Sequence, residues 1–308
     1  MQWDKLGRIL QPRQDSSWLA TAAGPSFAMV EGNKLRLYVT GRDTENRSRI
    51  GIVHFDMPTL TVDAIEPEPV LSLGGKGSFD QNGTGYPFIV ESEDHIWMFY
   101  VGWTPSVLVP FQNDIGLARS KDGRSFQRVS RAPIVPRTDA DHLSLGSVSV
   151  MKDEGLWKMW YTTFESWGTE PADPKHYYHI KYAHSVNGID WVRENRVAVT
   201  YEGADEYVLG RPCVIKFQGQ YHMWYCRRGS AYRLGYAHSD TGVEFKRRDD
   251  QLIGLDWSEN GWDSEMVCYP YCFFWNDNLY MLYNGNGYGR TGLGLAKLRN
   301  ISDLRKPL

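Results

Sequence analysis

Five short apolar runs recur along the chain at nearly constant spacing. They are GPSFAMV, YPFIV, GSVSVM, RPCVI and YPYCFF, and their second residues, taken as anchors, are Pro25, Pro87, Ser147, Pro212 and Pro270. The steps between successive anchors are 62, 60, 65 and 58 residues. A period of this kind is typical of repeat architectures, so we expect each repeat to fold as one unit.

Further strand-like segments follow each run. An aromatic-rich strand comes after a short polar turn, and its tyrosines, 13 or 14 residues after the anchors, are Tyr38, Tyr100, Tyr161, Tyr225 and Tyr283. A third strand follows, as in DIGLARS and HIKYAHS, and three copies then share an SxxG turn and an outer strand that starts with an aromatic residue. This pattern predicts four antiparallel strands in each repeat.

The two ends of the chain complete the pattern. The fifth repeat stops after its third strand, GLGLAKL, and the segment from Trp3 to Leu10 is similar to the fourth strands FQRVSRAPI and WVRENRVAV. We therefore predict an all-β, five-bladed β-propeller whose last blade is closed by the N-terminal strand. Closure of the ring hides the strand edges, and we expect a single domain over residues 1–308.

Composition excludes several classes of protein. With 42% hydrophobic residues and 23% charged residues, the chain is expected to bury a core, and its net charge of −3 offers no basic excess for nucleic acid or an anionic membrane. No apolar run is long enough to span a membrane and no secretory signal is visible, so we expect a cytoplasmic protein. Four cysteines without a CxxC pair predict buried free thiols, no metal site and no cofactor.

A propeller gathers the starts of its first strands and the ends of its second strands around one funnel. The aromatic content of 14% is typical of strands and of surfaces that face sugars. The residues directly before the anchors are Gly24, Tyr86, Gly146, Arg211 and Tyr269, and the ends of the second strands contribute Arg42, Trp103, Glu165, Arg228, Asn284 and Asn286. Acids, arginines, aromatic rings and amides in one concavity indicate a site for a carbohydrate or a polar metabolite.

A carboxylate recurs in the loops that lead into the first strands. Asp80, Asp205 and Asp263 each lie seven residues before an anchor proline, and Asp141-His142 holds a similar position in the third repeat. A repeated acid either has a shared structural role or acts in the site. Glu206 and Glu265 break the repeat, which favours a functional role for them, whereas His142 is either a general acid or base or an ordinary loop residue.

Three other candidates also have two interpretations. Arg211 either joins two blades as an ion pair or binds an anion, and its expected partners are Asp205, Glu265 or the ligand itself. Trp103 either stacks on a sugar ring or packs against protein. The Asn284–Asn286 triplet, which precedes Tyr288 and Arg290, either binds hydroxyl groups or forms a turn.

The repeated strand pairs, the ARSKDGRSF-type turns and the MLYNGNGYGRTGLGLA ending resemble the five-bladed glycosidases. That superfamily includes glycoside hydrolase family 43, the invertase-type enzymes of family 32 and the mannoside phosphorylases of family 130. The last two repeats look closest to glycosidase-like proteins that accompany surface-polysaccharide genes. The resemblance covers nearly the whole chain and implies two carboxylates, one that protonates the leaving oxygen and one that activates water, usually with inversion.

The chain departs from the pattern of this superfamily at the axis. The Asp that normally stands directly before the first anchor is replaced by Gly24, and none of the four equivalent residues in later repeats is acidic. The resemblance therefore leaves two readings: either the acids have moved into the preceding loops, or hydrolysis has been lost.

We expect a glycoside hydrolase-like enzyme that acts on a glycan or an activated sugar carrying a carboxylate or phosphate. Asp80 and Glu265 are the expected acid and base, with Asp205 as modulator. The expected ligand contacts are Arg211, Arg228, Arg42, Trp103, Tyr86, Tyr269, Glu165, Glu206, His142, Asn284 and Asn286.

Two alternatives remain open. One is a non-catalytic carbohydrate-binding or scaffold protein of surface-polysaccharide assembly, and the other is a phosphorylase whose phosphate would meet Arg42, Arg211, Arg227 and Arg228. The expected partner is in each case a carbohydrate or a sugar nucleotide, and the sequence predicts no oligomeric state.

Overall fold

The computed structural model describes residues 1–92, 94–170 and 174–304, and nearly all of its regular structure is β-strand. Unit 1 contains β2 (Ala22–Glu31), β3 (Lys34–Arg42), β4 (Ser48–Asp56) and β5 (Thr61–Ile65). Unit 2 contains β6 (Gly83–Ser92), β7 (His95–Pro105), β8 (Phe111–Ser120) and β9 (Gln127–Arg128). Unit 3 contains β10 (Leu145–Asp153), β11 (Leu156–Trp167), β12 (His176–Ser185) and β13 (Val192–Val199). These strands confirm the predicted all-β class.

Units 4 and 5 complete the described part of the chain. Unit 4 contains β14 (Val208–Phe217), β15 (Gln220–Arg228), β16 (Tyr232–Ser239) and β17 (Lys246–Arg247). Unit 5 contains β18 (Cys268–Trp275), β19 (Asn278–Asn284), β20 (Leu293–Leu298) and the N-terminal strand β1 (Trp3–Leu10). A four-residue helical segment, α1 (Asn286–Gly289), follows β19, and short 3-10 turns lie at Asp249–Gln251 and Ile301–Leu304.

Successive strands within each unit pair antiparallel. The predicted pairing of the N-terminal segment is present, because Trp3 lies opposite Leu298 and Leu10 opposite Leu293. Single parallel residue pairs connect unit 1 to unit 2 and unit 3 to unit 4. The first strands also touch one another, since β2 contacts β6 and β18, and β14 contacts β10 and β18.

A β-bulge interrupts each first strand at the residue before its anchor. Three of these residues have left-handed backbone conformation, with φ of 52° at Tyr86, 49° at Arg211 and 57° at Tyr269. This region is unfavourable for residues other than glycine, and a bulge changes the direction of a side chain. The side of the molecule on which the first strands begin is called the site face. The bulges thus place a large side chain on the site face in each of these three units.

The second-strand tyrosines pack across the third strands. A Cβ atom on Gly116 would lie 2.3 Å from the ring of Tyr100, and one on Gly235 would lie 2.4 Å from the ring of Tyr225. Glycine is therefore needed at these positions of β8 and β16 because the ring occupies the space of a side chain. In unit 3, Lys181 stands opposite Tyr161 instead.

Four of these tyrosines donate their hydroxyl to a carboxylate, whereas Tyr38 in unit 1 donates to the carbonyl of Gly123 at 2.8 Å. In unit 2, Asp80 is 1% exposed and accepts hydrogen bonds from the Tyr100 hydroxyl at 3.0 Å and from Nε of Arg128 at 2.7 Å. Arg128 lies on the outermost strand, so this tyrosine–carboxylate–cation triad ties the entry loop to both inner and outer strands. The corresponding triads are Tyr161, Asp141 and Arg193 in unit 3, and Tyr283, Asp263 and Lys5 in unit 5.

Units 4 and 1 vary this arrangement. In unit 4 the Tyr225 hydroxyl donates to Asp249 at 2.7 Å, and Arg247 forms ion pairs with both Asp249 and Glu206. In unit 1 the position seven residues before the anchor is Trp18, which is completely buried and occupies the space where Gly41 and Gly51 have no side chain.

Two sequence expectations concern the interior and the membrane. Cys213, Cys226, Cys268 and Cys272 are buried and unbridged, as predicted. No helix within the described ranges is long and apolar enough to cross a membrane.

Replacing Arg128 by methionine tests the triad. We expect Arg128→Met to lower the free energy of unfolding by about 3 kcal/mol, because it leaves the Asp80 carboxylate buried without its cation. Urea denaturation followed by tryptophan fluorescence measures the change. The control is Arg299→Met, which removes a solvent-exposed pair with Asp4 and should leave the midpoint nearly unchanged. Equal effects of the two substitutions would contradict a stabilising role for the triad.

Candidate functional site

Four tyrosines from four units meet at the site face. The Tyr86 hydroxyl donates to the Tyr269 hydroxyl at 3.1 Å, and the hydroxyls of Tyr178 and Tyr232 are 2.6 Å apart. Burial raises the pKa of Tyr86 to about 12 and the pKa values of the other three well above 10, so all four phenols are neutral at pH 7. We call them the tyrosine cluster, and Tyr86 is its half-buried member.

Arg211 lies against the tyrosine cluster and is only 2% exposed. Its Nη2 donates to the carbonyl of Ser26 at 2.9 Å, and its guanidinium carbon lies 5.8 Å from the centre of the Tyr86 ring. Weaker bonds reach the carbonyls of Tyr86 and Pro87, at 3.5 and 3.4 Å, and Nε has no partner among the described residues. The expectation that Asp205 or Glu265 would neutralise Arg211 is wrong, because its partners are neutral carbonyl groups of units 1 and 2.

Two further guanidinium groups flank the cluster. Arg228 lies 5.0 Å from the ring centre of Tyr232 and 5.5 Å from that of Tyr207. Arg42 lies 5.2 Å from the ring of Trp103, whose indole N–H donates to the Ser48 hydroxyl at 2.7 Å. Both arginines are partly exposed, and within residues 1–92, 94–170 and 174–304 neither forms an ion pair with a carboxylate.

A carboxylate with two partners stands at the end of β11. Glu165, whose side chain is 42% exposed, accepts a hydrogen bond from the Tyr201 hydroxyl at 3.0 Å and lies 3.3 Å from Nδ1 of His179. Burial lowers the pKa of His179, and the negative charge of Glu165 opposes that shift. A neutral imidazole beside an accessible carboxylate is an arrangement able to exchange protons with a ligand.

The loop that carries Glu265 is positioned by Asn286. The side-chain oxygen of Asn286 accepts from the backbone N–H groups of Glu265 at 2.8 Å and Met266 at 3.1 Å, which leaves the Glu265 carboxylate exposed. Asn284 is completely buried and donates to the Ala23 carbonyl at 2.6 Å, so it joins units 5 and 1. The two asparagines thus hold the backbone, and ligand binding by Asn284 stays a prediction.

The structure favours the structural alternative for two of the repeated acids. Asp80 and Asp263 are 1% and 2% exposed and are held by a tyrosine and a cation, which favours a structural role for Asp80 over the expected role as catalytic acid. The Glu206 side chain is also buried, by its pair with Arg247, and it does not face a ligand. Asp205 and His142 are exposed.

The structure therefore brings together only part of the predicted set. Arg211, Arg228, Arg42 and Trp103 gather around the tyrosine cluster, which includes Tyr86 and Tyr269, whereas Glu165 belongs to unit 3 and Glu265 to unit 5. No group of three or more His, Cys, Asp or Glu side chains suited to a metal ion occurs in the described part of the chain.

Sequence reasoning missed Tyr178 and Tyr232. Both stand four residues before the second tyrosine of a matching segment, YHIKYAHS in β12 and YRLGYAHS in β16. This repeated position was a usable signal, but it lies at the start of the third strands, away from the first and second strands on which the site residues were predicted. His179 and Tyr201 have no counterpart in other repeats, so no pattern marks them.

Comparisons with known proteins place these observations in a family. No family model matches the chain. Two proteins of Mycobacterium tuberculosis, Uncharacterized protein MT1551 and Uncharacterized protein Rv1502, are each 39% identical to it over 304 residues, which is 97% of this chain and 100% of each relative.

Solved structures share the fold across nearly all of the chain. A structure described as a glycoside hydrolase covers 99% of this chain and 94% of its own, with a TM-score of 0.75 and 18% identity. A thermostable family-43 glycoside hydrolase gives 0.71, with 16% identity and 95% and 96% coverage. A structure described under GH130 mannoside phosphorylases and glycoside hydrolases gives 0.73, with 16% identity and 99% and 95% coverage. The predicted resemblance to these glycosidases is confirmed as a similarity of fold.

The contact between Glu165 and His179 can be tested by titration. We expect Glu165→Gln to lower the pKa of His179 further, because it removes the negative charge that opposes the effect of burial. The histidine ring protons report this pKa in an NMR titration. Glu259→Gln, on an exposed loop, is the control and should leave it unchanged. An unaltered His179 titration in Glu165→Gln would refute the contact.

Proposed function

This chain belongs to the family of the mycobacterial proteins MT1551 and Rv1502, and we propose that it is a glycosidase-like protein that binds an anionic glycan or an activated sugar at the tyrosine cluster. The similarity to glycoside hydrolase structures supports the glycosidase-like part of this proposal. The anionic part is supported by the charges at the site face.

We further propose that the five units are the blades of one closed propeller, a single domain over residues 1–308. Each first strand contacts the first strands of the units before and after it, and the last contacts the first, as expected of a ring. The contacts are β2–β6, β6–β10, β10–β14, β14–β18 and β18–β2. In this arrangement the tyrosine cluster forms the floor of the central funnel, and Arg211 lies beside that floor.

The single observation that carries the anionic ligand is the presence of unpaired guanidinium groups. Within the units, Arg128 meets Asp80 and Arg247 meets Glu206, although the half-buried Arg119 stacks on Trp97 instead. At the tyrosine cluster Arg42, Arg211 and Arg228 have no carboxylate partner within the described ranges. A charge in a partly dry site is costly without a counter-charge, and a ligand anion would supply it through charge-assisted hydrogen bonds.

We propose Glu165 and Glu265 as the acid and base. They are accessible carboxylates on the site face, whereas Asp80 and Asp263 are enclosed in triads. The Tyr201 hydroxyl and the neutral His179 ring adjoin Glu165 and would let it hold or release a proton. Asp205 is exposed on a neighbouring loop and remains the proposed modulator.

Binding without turnover is the second candidate function. The observation that favours it is the lack of an acid at any of the five bulge positions, where Gly24, Tyr86, Gly146, Arg211 and Tyr269 stand. Under this alternative the chain retains a carbohydrate site and serves as a binding or scaffold protein of polysaccharide assembly. A phosphorylase would instead use the unpaired arginines to hold phosphate.

A substrate screen with matched variants separates these functions. Nitrophenyl glycosides and nucleotide sugars are offered with and without inorganic phosphate, and turnover that needs phosphate identifies a phosphorylase. We expect Glu165→Gln and Glu265→Gln each to reduce kcat at least a hundredfold, in line with the usual contribution of a general acid or base. Glu259→Gln serves as the control. Undiminished turnover in both site variants would refute the assignment, and specific sugar binding without turnover would favour the binding protein.

Arg211 provides a separate test of the anionic ligand. We expect Arg211→Met to weaken binding of an anionic sugar at least tenfold, or about 1.4 kcal/mol, and to leave binding of a neutral sugar unchanged. Thermal stability should change little, because the bonds lost to three carbonyls and the cost of burying the charge oppose one another. Calorimetric titration and thermal denaturation measure the two effects. A large fall in melting temperature with unaltered affinity would instead identify Arg211 as a clamp between units.

A further inference from the structure

A cavity of about 740 Å³ opens on the site face between units 5 and 1, beside the tyrosine cluster. It is lined by Arg8 at the end of β1, by Gln11, Pro12 and Gln14, by Ala20 and Thr21 before β2, by Thr44 after β3, and by Arg290 and Thr291 before β20. We call this cavity the Arg8–Arg290 groove. Its volume lies in the range of ordinary ligand pockets.

The groove is positive because two arginines and no carboxylate line it. Arg8 gives one N–H to the Thr291 carbonyl at 3.1 Å, which holds the guanidinium at the wall and leaves its other donors available. Arg290 is exposed, and among the described residues neither arginine forms an ion pair. In a chain with a net charge of −3, such a surface indicates selectivity for a negative group.

The remaining lining mixes amide and hydroxyl side chains with Pro12 and Ala20 and includes no aromatic ring. The hydroxyls of Thr21 and Thr291 donate to backbone carbonyls, so the two arginines are the charged donors of the groove. Sugar rings are commonly held against aromatic faces, which this groove does not offer but the tyrosine cluster does. The groove is therefore suited to the charged portion of a ligand rather than to its ring, and guanidinium groups match phosphoryl oxygens in geometry.

The groove and the tyrosine cluster share a wall. Tyr288, two residues before Arg290, contacts Tyr232 with ring centres 5.7 Å apart. On the other side, the Thr21 hydroxyl donates to the carbonyl of Asp43 at 3.2 Å, next to Arg42. The wall is α1, where Gly287, Tyr288 and Gly289 have φ of 63°, 61° and 95°. Among these three residues, only Tyr288 adopts a left-handed conformation that is unfavourable for its residue type.

We infer that the Arg8–Arg290 groove binds the phosphoryl group of a phosphorylated glycan or activated sugar whose ring lies at the tyrosine cluster. The position of the ring rests on the proposed function, whereas phosphoryl binding by the groove does not. The two can therefore be tested separately.

Titration of the full chain with pyrophosphate, followed by calorimetry, tests the groove. We expect Arg8→Gln and Arg290→Gln each to weaken binding at least fivefold. The control is Arg13→Gln, which also removes one positive charge from the N-terminal part of the chain. Because Arg13 is paired with Asp15 and lies outside the groove lining, this variant should bind pyrophosphate with an affinity within twofold of that of the unchanged chain. Thr44→Glu adds a carboxylate to the groove without removing a contact of an arginine and should weaken binding as well.

Three results would overturn the inference. Equal weakening by Arg13→Gln would show that only overall charge matters. Loss of pyrophosphate binding in Arg228→Gln, with full binding in Arg8→Gln and Arg290→Gln, would move the anion site to the tyrosine cluster and leave the proposed function standing. Tighter binding of glucuronate than of pyrophosphate would replace the phosphoryl group by a carboxylate. Retained pyrophosphate binding in Arg228→Gln with loss of neutral sugar binding would support two separate subsites.

Discussion

The buried carboxylate that joins a second-strand tyrosine to an outer-strand cation is the contact on which the rest of this structure depends. It connects the entry loop of a unit to its second and fourth strands, which no backbone ladder does directly. In unit 3 burial works against the charge of Asp141, but Lys181, Thr163 and Tyr161 outweigh it and hold the pKa of Asp141 below its ordinary value. In unit 5 the cation, Lys5, comes from the N-terminus, so the same contact fastens the two ends of the chain.

This use of acids leaves the site face without carboxylates near its centre. The bulges turn Tyr86, Arg211 and Tyr269 toward one another with left-handed backbone, and the tyrosines satisfy their hydroxyls in pairs. Neutral phenols can donate to and accept from sugar hydroxyls without adding charge. Among the described residues, no carboxylate neutralises Arg42, Arg211 or Arg228, whereas the buried acids Asp80, Asp141 and Asp263 are paired with cations inside the units.

Much of the fold could be predicted from the sequence, because strand spacing and turn residues repeat in register with the backbone. The pairing of Trp3–Leu10 with the fifth repeat followed from that regularity. The role of Asp80 did not, because spacing places a residue on a loop without showing which side chains it meets; its cation, Arg128, is 48 residues away. A signal was nevertheless present: in four outer strands a cation stands two residues after an aromatic residue, as in Phe126 and Arg128.

The site was less predictable for a related reason. A residue such as Arg211 was correctly expected to lie at the start of its first strand, but its partners depend on the bulge geometry and on carbonyl groups of other units, which leave no trace in side-chain patterns. Glu165 gains its chemical character from His179 and Tyr201, which come from different strands and loops of its unit. The repeats thus encode the scaffold, whereas the positions that break the repeat carry the differences between units. Function in this family is therefore best sought in what unit 1, unit 4 and the α1 segment do differently from the others.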